Sequence, residues 1–285
     1  MMVPYTGNYS PIRQYMKAKP TQYGIKIWCL ANSVSKYVQH MEVYCGASTS
    51  EDDNHATGFK IVNQLMRGHE GKGHIVTCDN FFTSPKLFWC LLQKGIYATG
   101  RCRSNRVGWP NALTINPRTR SRGQLWFRMH ASGRMAAICW FDNKPVTLLS
   151  TAFSPLDANG QVYISRWHNG EFVSVPCSPI LIHYQETMRG VDVQDQLRGY
   201  YSVQQKDHKW WHRILFHILD TSFVNAYIIY KSHMAHFGKK CLNHVKFNLV
   251  VANALMAGYT VREVPRTTIV DEVVPRPTKL HYTEK

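Results

Sequence analysis

Residues 75–85 read IVTCDNFFTSP, and they carry the strongest indication of the fold. A short apolar run over 75–78 predicts a strand, which ends at the carboxylate of Asp79. Five residues later the pair Ser84 and Pro85 is typical of a helix start, because serine is a favoured N-cap and proline fits the first helical position. The stretch therefore predicts a strand, an acidic loop and a helix.

A second strand follows this helix. Gly95 is typical of a helix end, and residues 97–99 favour an extended conformation. Strand, helix and strand at this spacing predict a β-α-β crossover, and sheets built from such crossovers place their chemistry at the carboxyl ends of their strands. Asp79 lies at that end, so it is the first candidate functional residue. The predicted helix has three apolar core positions: Phe88, Leu91 and Leu92.

The residues before the crossover predict a connector followed by a hairpin. Residues 1–24 are basic and rich in proline, so we expect an extended connector. The β-rich runs 26–31 and 37–44 flank a short polar stretch, which predicts an antiparallel hairpin. Apolar spacing over 59–66 then predicts one face of a helix.

Downstream, residues 101–122 contain six arginines among Asn, Pro and Gly, which is typical of a basic loop. Residues 123–178 predict an inserted β-rich subdomain, with strands over 135–141 and 144–150. We therefore divide the chain into a first core part at 1–122, the inserted subdomain at 123–178, a helical core part at 179–264 and a disordered tail at 265–285.

The helical part contains two predicted helices. One spans about 184–201, and a longer one follows it with apolar residues on one face. That face consists of Trp211, Ile214, Leu215, Ile218, Leu219, Ala226 and Ile229. Such a stripe predicts packing against a core.

Composition narrows the class of partner. The 285 residues contain 34 Lys and Arg against 18 Asp and Glu, a formal net charge of +16. Such an excess is typical of proteins that face a polyanion, of which nucleic acid is the leading candidate. An anionic membrane surface is the alternative, but no apolar run reaches the roughly 20 residues that span a bilayer. We expect a cytosolic or nuclear protein with reduced cysteines, because no Cys-x-x-Cys pair occurs.

The candidate acids each have a structural alternative. Asp192 and Asp195 are three residues apart and so share one helical face, where a bound divalent cation would turn their repulsion into attraction. The alternative is a solvated acidic edge. Asp79, which precedes an asparagine, could equally be a turn or cap residue. A strand-end aspartate and a helix-borne aspartate separated by a β-rich insert match the layout of two-metal phosphoryl-transfer folds.

Several motifs, in order over about residues 1–235, resemble those of piggyBac-type transposases and their domesticated relatives. They are KPT (19–21), GIKIW (24–28), VYCG (43–46), VTCDNFFTSP (76–85), WFDNKPV (140–146), GVD (190–192), WW (210–211) and VNAY (224–227). The resemblance implies an α/β fold with a ribonuclease-H-like transposase core that carries an inserted β-rich subdomain. It also implies DNA as the partner, two Mg²⁺ ions, a nuclear location and pairs of protomers, with no small-molecule substrate.

By this resemblance Asp79 matches the second of three catalytic aspartates, Asp192 the third, and Asp195 an acid beside the third. All three would face the metal ions, while element ends are cut and joined to TTAA sites. The family's first aspartate ends a central strand just before a segment like residues 1–7. We therefore expect that strand to be missing, and the chain to be a fragment or an inactive copy. The alternatives are a non-catalytic DNA-binding or chromatin-associated protein and a product without function.

Basic and aromatic residues give further hypotheses. Nine residues could contact DNA phosphates, or could simply be solvated: Arg101, Arg103, Arg106, Arg118, Arg120, Arg122, Lys206, Lys209 and Arg213. Zinc at His233, His236, Cys241 and His244 stays open, because the spacing is not a clean zinc signature. We expect the tryptophans Trp28, Trp210 and Trp211 to pack in the core.

Overall fold

The structure is a computed structural model that describes residues 1–7, 12–17, 19–46, 56–113, 121–158, 160–168 and 170–257. Met1–Cys241 form one compact unit, and a second unit starts at Leu242. The predicted disordered tail at 265–285 lies outside the described residues. Within the described ranges no helix is both long and apolar enough to cross a membrane.

The predicted crossover is confirmed. Strand β5 (Ile75–Cys78) pairs in parallel with β6 (Tyr97–Arg101), and helix α2 (Pro85–Gln93) connects them. The Ser84 hydroxyl accepts a hydrogen bond from the Leu87 amide at 3.2 Å, which is the predicted N-cap. Helix α2 packs against β6 and buries an apolar face, so the core of this region forms between the helix and the sheet.

Three further strands extend the crossover into a five-stranded sheet of order β5-β6-β9-β8-β7. They are β7 (Leu125–Met129), β8 (Ala136–Phe141) and β9 (Pro145–Ser150). Strands β8 and β9 form the predicted hairpin, and β9 pairs antiparallel with β6. The first part of the predicted insert thus continues the sheet of the crossover.

The rest of the predicted insert forms its own hairpin. Strand β10 (Val162–His168) pairs antiparallel with β11 (Glu171–Cys177) in a two-stranded sheet. The Trp140 indole, on β8, donates a hydrogen bond to the Pro176 carbonyl at 2.8 Å, which ties this hairpin to the larger sheet. The division of the chain at 123–178 stays a prediction.

A separate antiparallel sheet is built around β3 (Tyr23–Ala31). Strand β4 (Val38–Val43) pairs with it as the predicted hairpin, and helix α1 (Thr57–Leu65) follows. The prediction of a connector over 1–24 was wrong in part, because β1 (Met2–Pro4) and β2 (Arg13–Tyr15) both pair with β3. A strand of three residues is too short to show the alternation of apolar and polar residues that marks a strand in a sequence. Such strands are therefore recognised only by their pairing with a neighbour.

The single predicted helix over 184–201 is two helices. Helix α3 (Pro179–Thr187) begins after Ser178, whose hydroxyl accepts from the Ile180 amide at 3.3 Å, and α4 (Gly190–Tyr200) follows after a break. The break is decisive for the site, because it places an acidic residue in the first turn of α4. The remaining helices are α5 (Trp210–His236) and α6 (His244–Met256), of which α6 belongs to the second unit.

The predicted packing face of α5 was wrong in large part, although Ile214 does pack against the core cluster around Val3 and Ile25. Leu215, Ile218 and Leu219 are 41–45% exposed. The buried positions of α5 are instead His217, Asp220, Thr221 and Val224. This helix therefore packs through a largely polar stripe and leaves much of its apolar stripe at the surface.

Candidate functional site

Asp79 immediately follows β5 and is exposed. Its Oδ1 atom accepts hydrogen bonds from the backbone amides of Phe81 at 2.8 Å and Phe82 at 3.4 Å. The turn-capping alternative is thus confirmed. It uses one carboxylate oxygen only, and within the described residues the Oδ2 atom has no protein partner. Asp79 can therefore shape the loop and still offer an oxygen to a ligand.

Close packing against β6 holds the loop after β5 in place. Thr83 donates its hydroxyl hydrogen to the Asp79 carbonyl at 2.8 Å. Gly100, on the neighbouring strand, makes room for this contact, because a Cβ atom there would lie 2.3 Å from the Thr83 hydroxyl and 2.7 Å from the Cys78 carbonyl. A larger residue at position 100 would push the loop that carries Asp79 out of place.

Arg106 holds the same loop from the other side. Its guanidinium donates to the backbone carbonyls of Asn80 at 2.8 Å and Phe81 at 3.0 Å. The sequence grouped Arg106 with phosphate-contacting arginines, but here its Nη2 atom is engaged by the protein. Arg106 therefore positions the Asp79 loop.

Asp192 lies in the first turn of α4 and is exposed. The partial positive charge of a helix N-terminus favours a carboxylate there. The described part of the structure gives the Asp192 side chain no hydrogen bond or ion pair. Asp79 and Asp192, far apart in sequence, line one cavity of about 330 Å³.

Asp195 is in a different situation. Its Oδ1 atom accepts from the Arg198 guanidinium at 2.7 Å, so its charge is already paired. It lines a neighbouring cavity of about 350 Å³, which Asp192 also lines. The shared helical face predicted for Asp192 and Asp195 exists, but the two carboxylates differ in how available they are. A role of Asp195 at the metal stays a prediction.

Two lysines complete the cavity of Asp79 and Asp192. Lys26 projects from β3 into it, and Lys19 lines both this cavity and the neighbouring one. Both residues belong to the motifs KPT (19–21) and GIKIW (24–28), which gave them no predicted role. Helix α4, which carries Asp192, packs against β3, and this contact brings Lys26 beside the site.

The donor set of the cavity fits a hard divalent cation that also binds a phosphate. Among the described residues, no three side chains of His, Cys, Asp or Glu lie close enough together to hold a metal ion. Two available carboxylates remain, and Mg²⁺ commonly uses one or two carboxylates together with water and substrate phosphates. The same observation gives no support to zinc at the histidines of α5 within the described residues.

The other predicted phosphate contacts divide into two groups. Arg122 forms an ion pair with Asp142 at 2.7 Å, and Arg213 donates to the Pro4 carbonyl at 2.8 Å, so both have structural roles. Four stay exposed with their side chains available: Arg101, Arg103, Lys206 and Lys209. Arg118 and Arg120 lie outside the described residues. Arg101 follows Gly100, the partner of Cys78, and so ends β6 at the same edge as Asp79.

The three tryptophans differ in how much of the side chain is exposed. Trp28 is 7% exposed and packs as predicted, whereas Trp210 and Trp211 are 37% and 48% exposed. For these two the expected core packing was wrong, because the N-terminal turn of α5 carries them at the surface. The Lys209 ammonium lies 5.7 Å from the centre of the Trp211 ring.

The chain is similar to a known protein family and to several known proteins. A family model described as Transposase IS4 matches residues 1–227. Human PiggyBac transposable element-derived protein 3 is 27% identical over 243 residues, which cover 81% of this chain and 39% of that protein. Human PiggyBac transposable element-derived protein 5 is 28% identical over 184 residues, which cover 63% of this chain and 34% of that protein.

A solved structure is similar as well. It is a cryo-EM structure of a piggyBac transposase synaptic complex with hairpin DNA, with a TM-score of 0.76 and 27% sequence identity. The match covers 90% of this chain and 50% of the other. The chain thus spans half or less of the proteins it matches here. The mixed α/β architecture is that of a ribonuclease-H-like transposase core, as predicted.

Proposed function

We propose that this chain, which belongs to the piggyBac-type transposase family, binds DNA at the cavity of Asp79 and Asp192 and there supports cleavage and transfer of a DNA strand. Transposases of this superfamily generally act with divalent metal ions. The finer proposal is that Mg²⁺ is the ion, and that Asp79 and Asp192 are its protein ligands.

One observation carries this proposal. Two exposed carboxylates without an ionic partner in the described structure line the same cavity as Lys19 and Lys26. Carboxylates suit a hard cation and ammonium groups suit phosphate oxygens, so the cavity presents both halves of a phosphodiester site. The net charge of +16 supports DNA as the polyanion.

The residues around the cavity prepare it for this chemistry. Asp79 is held by the turn it caps, and Arg106 and Thr83 keep that turn in place. Asp192 lies in the first turn of α4, where the partial positive charge of the helix N-terminus attracts a carboxylate. A bound Mg²⁺ would supply charge neutralisation and polarisation at the phosphodiester. Pre-organised ligands require little rearrangement when DNA arrives.

Further parts of the proposal concern partners. We place the protein in the nucleus, acting as a homodimer on transposon-like ends, by analogy with the DNA complex of the similar transposase. Asp195 would tune the site through its pair with Arg198. The exposed residues Arg101, Arg103, Lys206 and Lys209 would contact DNA phosphates.

The test separates binding from chemistry. The purified chain is titrated with a fluorescent DNA duplex by anisotropy, and nicking is followed on a gel with and without Mg²⁺. Asp79→Asn and Asp192→Asn should each abolish Mg²⁺-dependent nicking. The matched control is Glu171→Gln, which removes a charge from the exposed β10–β11 turn and should leave nicking intact. Nicking that survives in Asp79→Asn and Asp192→Asn would overturn the assignment.

A second candidate function has its own support. The cavity that Asp79 lines contains two carboxylates among the described residues, where a shared two-metal site needs a third ligand. The alternative is therefore a non-catalytic DNA-binding protein of the same fold. Salt-sensitive DNA binding without nicking at any Mg²⁺ concentration would favour it, and absence of DNA binding would rule out both functions.

A further inference from the structure

The ammonium group of Lys26 is surrounded by aromatic rings. Its Nζ atom lies 3.6 Å from the centre of the Trp28 ring, 5.0 Å from that of Phe81 and 5.7 Å from that of Tyr44. We call these three residues the ring set. An ammonium within about 6 Å of an aromatic face is attracted by the ring's charge distribution, most strongly by tryptophan. The ring set therefore keeps a flexible lysine in one place.

One member of the ring set, Phe81, lies on the loop that carries Asp79. Phe81 stacks on Trp28 with ring centres 5.4 Å apart and planes 22° apart. The Phe81 amide donates to Asp79, and the Phe81 carbonyl accepts from Arg106. The same turn thus fixes the Asp79 carboxylate and one wall around Lys26, so the two groups have a defined spatial relation.

Lys26 carries a positive charge that no protein anion balances directly. Within the described part of the chain, no carboxylate lies within ion-pair distance of Nζ, and the side chain is half-buried. Burial lowers the pKa of Lys26, and the nearby charge of Asp79 opposes this effect. The ring set offsets part of the cost of burying this ammonium, and an anionic ligand would supply the counter-charge that the described residues do not.

The chemistry of the missing anion follows from the cavity. Asp79 and Asp192 would hold a bound Mg²⁺, which would offset their negative charge, and Lys26 on the same cavity offers an ammonium group to a phosphate oxygen. We propose that Lys26 binds a phosphate of the DNA strand in this cavity, and that the ring set positions it for that contact. The inference rests on the proposed function and adds a specific phosphate ligand to it.

The first experiment measures the salt dependence of DNA binding for Lys26→Gln. The logarithm of the binding constant falls with the logarithm of salt concentration by about 0.9 for each phosphate contact. Lys26→Gln should reduce the slope by about that amount and weaken binding about tenfold. The matched control is Lys231→Gln, which removes the same charge from exposed α5 and should leave slope and affinity unchanged. Thermal melts verify that both variants are folded.

Two further variants test the role of the ring set. Lys26→Arg keeps the charge and should restore the slope. Phe81→Leu removes one wall but no charge, and Phe81 is 39% exposed, so the fold should survive. We expect Phe81→Leu to weaken DNA binding without lowering its thermal midpoint. If Lys26→Gln does not fold, Phe81→Leu is the variant that tests the inference. Unchanged DNA affinity of Phe81→Leu would refute the role of the ring set in positioning Lys26.

The outcomes also separate the two proposals. If the wild-type chain does not bind DNA in a salt-dependent manner, the proposed function fails. If the wild-type chain binds and Lys26→Gln binds with the same slope and affinity, the proposed function stands and the phosphate contact of Lys26 is wrong.

Discussion

Helices α2 and α5 look alike as sequences and behave in opposite ways in the fold. Both have apolar residues at helical spacing. Helix α2 buries Leu87, Phe88 and Leu91 completely, each at 0% exposure. Helix α5 leaves its leucine and isoleucine stripe partly in water and buries His217 and Asp220 instead.

The difference comes from what each helix packs against. Helix α2 covers β6 and the apolar interior of the crossover. Helix α5 packs against α4 and β1, and it also forms hydrogen bonds with the loop that follows α4. In that loop the Ser202 hydroxyl and the Val203 amide need an acceptor, and Asp220 accepts from them at 2.5 and 2.8 Å. An apolar stripe thus predicts burial only where the neighbouring surface is apolar too.

The largest expected effect is a large-to-small change in the core of α2. Leu91→Ala should lower the free energy of unfolding by about 3 kcal/mol or more, because it leaves a cavity in a fully buried position. Leu219→Ala makes the same change on α5 at a 41% exposed position and should cost less than about 1 kcal/mol. Urea denaturation measures both values. Equal losses would mean that α5 is covered in solution.

On α5, substitution of a buried polar residue should lower stability more than substitution of an exposed apolar one. Asp220→Ala should cost about 2–3 kcal/mol, because it removes the acceptor of two hydrogen bonds at a residue that is 3% exposed. The Arg198 guanidinium, 3.7 Å from Asp220, would lose a partner as well. Ser222→Ala, on the exposed side of the same helix, is the control and should be nearly neutral. A small effect at Asp220 would show that water replaces it.

The buried histidine makes the stability of α5 depend on pH. Burial, followed by the charge of Arg198, lowers the pKa of His217 to about 3, while the charge of Asp195 opposes the shift. The unfolded chain takes up the proton near pH 6.5 and the folded chain does not. Stability should therefore be complete above pH 6.5 and fall by up to about 1.4 kcal/mol per unit as pH drops towards 3.

Comparison with a variant isolates this contribution. His217→Gln should reduce the difference between the urea midpoints at pH 7 and pH 5. Leu91→Ala should lower both midpoints and leave their difference unchanged. A wild-type profile that matches that of His217→Gln would mean that the pKa of His217 is the same in the folded and the unfolded chain.

The smallest expected effect concerns the helix starts. The Ser84 hydroxyl caps α2, whereas Lys209, at the N-cap of α5, makes no side-chain cap. Ser84→Ala should cost about 1 kcal/mol, and Lys209→Ala should change little. Thermal melts of the two variants sharpen the contrast. An equal loss in both would mean that the Ser84 hydroxyl adds no net stability.

Local patterns were sufficient for much of the fold. The crossover around Asp79, the hairpins β3–β4 and β8–β9 and the cap at Ser84 follow from apolar periods and cap chemistry, because neighbouring residues determine them. The strands β1 and β2 and the break before α4 escaped prediction. Their pairing and packing partners lie elsewhere in the chain, and no short-range signal marks them.

The site shows the same division. The residue types and motifs indicated Asp79, Asp192 and a basic, DNA-facing protein. They did not indicate that Arg106 holds the Asp79 loop, and they gave Lys26 no role; a phosphate contact of Arg106 stays a prediction.

The β-α-β crossover, the positive charge and the family can be inferred from residue type and local order alone. The cavity shared by Asp79 and Asp192, the ion pair of Asp195 and the ring set around Lys26 are visible only in the folded chain. Those facts depend on distances between residues remote in the chain, which packing sets and local order does not encode.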